Sequence, residues 1–143
     1  MTLDTIDQTL LAELRDNARC PMAMLARKVG LSRTAVQARI ARLERDKIII
    51  GYGARTGDAY EQSQVQAHVM LTVGPKLAGT VEGALRKIPG VRSLLSISGA
   101  FDMIAVVEAG SIGQLDALLD RIGLLDGVER TQTSVVLSTR IQR

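Results

Sequence analysis

The segment that most constrains this fold is residues 21–45, which read PMAMLARKVGLSRTAVQARIARLER. Apolar residues recur in it at the three- and four-residue spacing of a helix face, and Gly30 interrupts the pattern once. Glycine commonly ends a helix in a left-handed turn, and Ser32 is a good cap for a helix that follows. The segment therefore predicts two helices joined by a tight turn, the arrangement called helix-turn-helix.

A helix over residues 4–16 is predicted before this pair. Asp4 can cap it, and Leu10 and Leu14 recur on one face at helical spacing. Pro21 suits the first position of the second helix, because its missing N–H has no partner there anyway. The first part of the chain is therefore expected to be a three-helix unit.

The third helix has one narrow apolar stripe, formed by Val36, Ile40 and Leu43. Three isoleucines follow at residues 48–50, and β-branched residues favour strands. Residues 46–57 are therefore predicted to form a strand and a linker, which makes the first unit winged-helix-like.

In the second half of the chain, the spacing of apolar residues changes from a helical to a strand pattern at first. Residues 64–73 alternate apolar and polar side chains, as a half-buried strand does. The order of elements is β-α-β-β-α-β, which is ferredoxin-like, with strands at residues 64–73, 91–98, 103–108 and 128–139 and helices at residues 77–88 and 111–122. We predict an α+β protein with a helix-turn-helix domain at residues 1–55 and a ferredoxin-like domain at residues 56–143.

Charge is unevenly distributed between the two halves. Residues 1–55 hold ten Lys and Arg against six Asp and Glu, a net of +4, whereas residues 56–143 hold eight against nine, a net of −1. A basic unit joined to a near-neutral one indicates a polyanion binder, although a solvated basic face would look the same.

The single cysteine, Cys20, excludes an internal disulfide and a multi-thiolate metal site. The start of the chain does not resemble a signal peptide, and no apolar run approaches the roughly 20 residues that span a bilayer. We expect a cytoplasmic protein without a metal, a cofactor, a catalytic site or a membrane partner.

The outer face of the third helix predicts contacts with double-stranded DNA. Early residues of the second helix in such a motif reach base edges, and phosphate contacts set affinity without reading sequence. Arg39 lies beside the apolar stripe, so it is equally suited to a carboxylate of the first helix and to a phosphate. The predicted base contacts are Arg33, Thr34, Gln37 and Ala38, and the predicted phosphate contacts are Arg27, Lys28, Arg42 and Arg45.

The chain resembles the Lrp/AsnC family, the leucine-responsive or feast/famine regulators, over almost its whole length. The opening pattern is carried by Leu3, Asp4, Asp7, Leu11, Leu14, Asn17, Ala18 and Arg19, and the helix-turn-helix by Leu25, Ala26, Val29, Gly30, Leu31, Ser32, Val36, Arg39, Ile40, Leu43 and Glu44. The following strand is matched by residues 48–52, and a loop of the second domain by residues 99–102.

The resemblance implies a transcriptional regulator that dimerises through its C-terminal sheet and in some cases forms octamers. It also implies that an amino acid or related metabolite binds where dimers meet. In this chain the implied effector residues are Ser98, Gly99, Ala100 and Asp102, with Thr131, Thr133 and Ser134 of the last strand. Asp102 could accept a hydrogen bond from a ligand ammonium or simply cap its own loop.

Two alternatives remain open at this point. Decarboxylases of haem precursors share the two-domain layout, but such a site would depend on His68, the one histidine, which is out of phase with the apolar residues of its strand. A scaffold that binds an effector but no DNA is the other alternative, and the basic helix argues against it.

Overall fold

The computed structural model describes residues 2–142, and the chain divides into two compact units, one ending at Arg55 and the other beginning at Thr56. The first unit is helical, and the second contains a four-stranded antiparallel sheet with helices. The predicted α+β fold is therefore confirmed.

Three helices form the first unit: α1 (Thr5–Asp16), α2 (Met22–Val29) and α3 (Arg33–Arg45). The carboxylate of Asp4 caps α1 by accepting from the N–H of Asp7 at 2.8 Å. Pro21 lies at the cap of α2, one residue before the predicted position, where its fixed φ and missing N–H are equally acceptable. The buried apolar residues of this unit include Leu10, Leu14, Leu25, Ala26, Val36, Ile40 and Leu43.

The strand predicted at residues 48–50 is not formed. The helix α3 ends in a turn in which Lys47 has a φ of 60° and the N–H of Ile48 donates to the carbonyl of Leu43 at 2.9 Å. Ile49 packs against the helical core, whereas Ile50 is 90% exposed. The described part of this unit contains no other strand, so an extended segment here has no neighbour with which to pair.

The second unit begins with a short helix, α4 (Asp58–Gln62), where the sequence predicted a linker. The elements that follow confirm the β-α-β-β-α-β order, and the sheet has the strand order β2-β3-β1-β4. Its last strand is shorter than predicted. These elements are β1 (Val65–Val73), α5 (Ala78–Arg86), β2 (Val91–Ser96), β3 (Met103–Ala109), α6 (Ile112–Gly123) and β4 (Val128–Val135).

The two faces of the sheet have different environments. Ala67, Val69 and Leu71 of β1 are buried in the core that α5 and α6 help to form. His68 points to the opposite face and is exposed, as its phase in the sequence predicts. One face of the sheet is therefore covered by helices, and the other is open.

Within residues 2–142, no helix is both long enough and apolar enough to cross a membrane.

Candidate functional site

The turn between α2 and α3 follows the chemistry that the sequence predicted. Gly30 adopts a left-handed conformation with a φ of 70°, and the N–H of Leu31 donates to the carbonyl of Ala26 at 3.1 Å. Ser32 then caps α3 by accepting from the N–H of Ala35 at 3.1 Å. The turn therefore fixes where α3 begins.

The helix α3 is buried on one side and open on the other. Val36, Ile40 and Leu43 are buried, and they hold the helix against the unit. Every predicted base-contacting side chain is exposed: Arg33, Thr34, Gln37 and Ala38. The first two turns of α3 therefore present cationic, amide, hydroxyl and methyl groups outward, which are the groups that read base edges.

The predicted phosphate contacts fall into two groups. Arg27 and Arg45 are exposed, and neither forms an ion pair in the described part of the chain. Lys28 instead donates to Glu13 at 2.5 Å, and this hydrogen bond raises the pKa of its ammonium. Arg42 donates to the buried carboxylate of Asp7. Lys28 and Arg42 are therefore each paired with a carboxylate of α1, and their contact with phosphates stays a prediction.

Arg39 takes the carboxylate alternative that the sequence left open. Its Nη1 donates to Asp4 at 2.6 Å and to Asp7 at 3.1 Å. Asp7 is 1% exposed and accepts from both Arg39 and Arg42, so α1 and α3 are joined by a compact cluster of two carboxylates and two guanidinium groups. We call these four residues the α1–α3 ion cluster.

The pKa of Asp4 lies below its ordinary value of 3.8. The hydrogen bond from the Asp7 N–H is the largest cause, and the hydrogen bond from Arg39 is the second. The same contact raises the pKa of Arg39. Asp4 and Arg39 therefore form an ion pair near neutral pH.

Sequence reasoning missed the role of Asp7, although a signal was present. Asp7, Leu10 and Leu14 recur at i, i+3 and i+7, so a carboxylate occupies the buried stripe of α1. A charged residue at such a position needs a partner of opposite charge. Only the packing of α3 on this face identifies that partner.

The loop between β2 and β3 carries the implied effector residues. Ser98, Gly99 and Ala100 are exposed, and Gly99 has a φ of 141°, a conformation that favours glycine. Asp102 accepts from the N–H of Val73 at 2.9 Å, and its own N–H donates to the carbonyl of Leu71 at 2.8 Å. Asp102 therefore fastens the loop to β1, which is the capping alternative.

The three polar residues implied on β4 do not share one face. Thr131 lies opposite Leu71 and Thr133 lies opposite Val69, so both threonines point to the helix-covered side. Ser134 lies opposite His68 and points to the open side. Successive side chains of a strand alternate between faces, so the three residues do not share one side of the sheet, and their contact with an effector stays a prediction.

A contact that the sequence did not predict joins the loop to β4. The guanidinium carbon of Arg130 lies 5.1 Å from the centre of the Phe101 ring, within the range of a cation–π interaction. The last two residues of the loop are therefore held by two strands, Phe101 by β4 and Asp102 by β1.

Two family models match this chain and together cover most of it. Residues 3–44 match the AsnC-type helix-turn-helix domain. Residues 66–143 match the Lrp/AsnC ligand binding domain. The resemblance stated from the sequence is confirmed.

Relatives and solved structures agree with these matches. The chain is 33% identical to the HTH-type transcriptional regulator LrpA of Mycobacterium tuberculosis, covering 96% of this chain and 91% of that one. It is 30% identical to a proline dehydrogenase transcriptional activator of Rhodobacter capsulatus, covering 99% and 94%. A feast or famine regulatory protein of M. tuberculosis, solved in complex with L-methionine, superposes with a TM-score of 0.88 at 32% identity, covering 99% and 96%.

We predict that Asp4→Asn changes how the melting temperature of the protein depends on pH in the acidic range. A carboxylate whose folded pKa is below 3.8 contributes stability above that value and loses it as pH falls through the folded pKa. Asparagine can still accept from the Asp7 N–H but is neutral. The difference in melting temperature between wild type and Asp4→Asn should therefore be present near pH 5 and shrink below pH 3.8.

Asp116→Asn is the matched control, because Asp116 is exposed on α6 and forms no ion pair among residues 2–142. Its melting temperature should follow that of wild type at each pH. The prediction would be contradicted if the difference in melting temperature between wild type and Asp4→Asn stayed constant over this pH range.

Proposed function

The chain belongs to the Lrp/AsnC family of transcriptional regulators, and on that premise we propose that it binds specific DNA sites through α3 and responds to a small amino-acid effector. The observation that carries the proposal is the two-sided character of α3. Its apolar stripe is buried, while the face that carries Thr34, Gln37 and Ala38 is open. A helix held in this way can lie in the major groove.

The first two turns of α3 would read sequence. The amide of Gln37 can bond N6 and N7 of adenine, and Arg33 can bond O6 and N7 of guanine. Ala38 and the methyl group of Thr34 suit the methyl group of thymine. These side chains are exposed, so no rearrangement of the unit is needed to present them.

The exposed cations would set affinity and register. Arg27 and Arg45, at the ends of α2 and α3, are positioned to contact phosphates without a competing carboxylate. Lys28 and Arg42 would reach phosphates only while shared with Glu13 and Asp7, so their share of the binding energy should be smaller.

A second copy of the chain would cover the open face of the sheet. Leu95, Ile104 and Met70 lie side by side across β2, β3 and β1 on that face, and Leu95 is 50% exposed. A row of apolar side chains across an otherwise open sheet is typical of an interaction surface. A two-fold dimer would present two α3 helices to half-sites about one turn of DNA apart, or a multiple of that distance. Octamers would require a further contact between dimers.

The effector would be an amino acid, bound at the loop between β2 and β3. A related regulator is solved with L-methionine, which supports this ligand class. The open backbone at Gly99 can approach a ligand carboxylate closely, and Ser98 adds a hydroxyl. Thr131 lies opposite Leu71, beside the attachment point of the loop, and is the best placed of the three β4 residues.

Effector binding would act by shifting an equilibrium between assemblies or between DNA-binding arrangements. Such a shift requires that the ligand bind one state more tightly than the other. A site shared between dimers meets that requirement, because it is complete only in the assembled state.

We prefer the function of a transcriptional regulator to that of a haem-precursor decarboxylase. His68 is exposed on the open sheet face, and residues 2–142 contain no group of three or more His, Cys, Asp or Glu side chains that could hold a metal ion. The relatives with which the chain aligns are named as transcriptional regulators. A cytoplasmic location follows from this function, since the DNA partner is there.

We predict that Gln37→Ala lowers sequence discrimination. Fluorescence anisotropy would compare a duplex from upstream of the protein's own gene with a random duplex of the same length. Loss of one bidentate base contact should reduce the preference for the upstream duplex by about tenfold, while random binding changes little. Arg45→Ala should weaken both duplexes similarly and lower the salt slope by about one.

Gln8→Ala is the matched control, since Gln8 is also an exposed helical glutamine of the first unit. It should bind both duplexes as wild type does. Equal losses on both duplexes for Gln37→Ala would remove Gln37 from the set of base contacts, and absence of any preference in wild type would overturn the proposed function.

We predict that Leu95→Asp disrupts dimerisation, because a carboxylate would replace an apolar contact on the open face. Light scattering after size exclusion should show a shift toward monomer. Ile112→Asp is the control: Ile112 is 64% exposed on α6, away from that face. Loss of assembly in both variants, or in neither, would contradict the proposed interface.

We predict that Asp102→Asn separates the two roles of this side chain. The amide oxygen of asparagine can still accept from the Val73 N–H, so the loop should persist. Its neutral amide should weaken a response that depends on a ligand ammonium. The measurement is DNA anisotropy with L-methionine, followed by a pool of the common amino acids. A response equal to that of wild type would leave Asp102 with the capping role alone.

A further inference from the structure

We propose that Asp7 is a positioning residue for DNA recognition, and that its buried carboxylate fixes the rotation and register of α3 through Arg39 and Arg42. The inference rests on the proposed DNA-binding function. It goes beyond that function because Asp7 lies on α1 and is 1% exposed, so it does not itself contact DNA.

Burial makes the pairing of Asp7 obligatory. A carboxylate removed from water is costly unless ionic and hydrogen-bonding partners replace the solvent. Oδ1 of Asp7 accepts from Arg39 at 3.1 Å, and Oδ2 accepts from Arg42. Both strong partners come from α3, so the charge of Asp7 is compensated only when α3 occupies its observed position.

The apolar contacts of α3 are less able to fix that position. Val36, Ile40 and Leu43 form a stripe of aliphatic side chains, and aliphatic burial has no directional preference. Charge-assisted hydrogen bonds are directional. Arg39 and Arg42 lie three residues apart, on successive turns, so one carboxylate that holds both restrains rotation about the helix axis as well as sliding along it.

Small errors in rotation would matter at the base-reading face. At about 100° per residue, Gln37 projects about 140° around the helix from Arg42. With a side-chain radius of about 5–6 Å, a rotation of about 20° moves the Gln37 amide by about 2 Å. Hydrogen bonds tolerate only about 0.5 Å, whereas charge attraction to phosphates falls off slowly with distance. A rotation of α3 away from its observed position should therefore lower the preference for a specific DNA sequence more than it lowers affinity for DNA in general.

A second observation agrees with a positioning role. Nε of Arg42 is buried and has no hydrogen-bond partner among the residues that the structure describes. Such a donor costs stability, and buried ion pairs are often no more stabilising than apolar replacements. The cluster is therefore a poor device for stability alone, whereas its geometry is well suited to setting the register of α3.

The test is Asp7→Asn in the full chain, studied at a temperature at which circular dichroism shows it fully folded. Anisotropy gives the ratio of affinities for the upstream duplex and a random duplex. We expect the ratio to fall about tenfold or more, because base contacts are misaligned. Affinity for the random duplex should stay the same or rise, since one negative charge is lost.

Asp16→Asn is the matched control. It also neutralises one carboxylate of α1, but Asp16 is exposed and forms no ion pair among residues 2–142, so Asp7 still holds both arginines. Its ratio should equal that of wild type. A loss that is equal in the two variants would assign the effect to charge rather than to position and would overturn the inference.

Arg39→Gln keeps the test decisive if Asp7→Asn does not fold. It leaves Asp7 paired with Arg42 and removes one of the two anchors, so the ratio should fall by a smaller factor. If the folded variants have the same ratio of affinities for the upstream and random duplexes as wild type, the role of Asp7 is overturned while the proposed function stands. Absence of any preference in wild type is a different result, and it rejects the proposed function together with this inference.

Discussion

The carboxylate of Asp7 is the point at which folding and recognition meet in this protein. It is buried on the apolar stripe of α1, and its charge is balanced by two arginines of the helix that faces outward. A buried charge is stable only with its partners in place. The same requirement that keeps α1 and α3 together therefore also sets the direction in which Gln37 projects.

The second unit follows a different rule, because its sheet is covered by helices on one side alone. Alternation along β1 places Ala67 and Val69 in the core and leaves His68 on the open face. The register with β2 and β3 then assembles a row of apolar side chains on that face. An antiparallel sheet can leave one face in water, but an apolar row there favours a partner, which is why we propose that a second copy covers this face.

Local signals were sufficient for much of the fold. Gly30 and Ser32 ended one helix and began the next, because their preferences depend only on nearby backbone groups. The prediction of a strand at residues 48–50 was wrong, because strand formation depends on a distant partner as well as on local preference. Isoleucines favour strands, but a strand needs a neighbour, and the described part of the first unit offers none.

The sequence by itself determined the β-α-β-β-α-β order of the second unit, the buried stripe of α3 and the exposure of the side chains on its outer face, since strand and helix periodicity depend on spacing alone. Tertiary structure decided which cations remain free. Arg42 and Lys28 are as basic as Arg27 in the sequence, yet packing brings a carboxylate of α1 to the first two. Strand alternation already separates Ser134 from Thr133, but only the pairing of β4 with β1 decides which of them faces the helices, because register is set between strands that are distant in the chain.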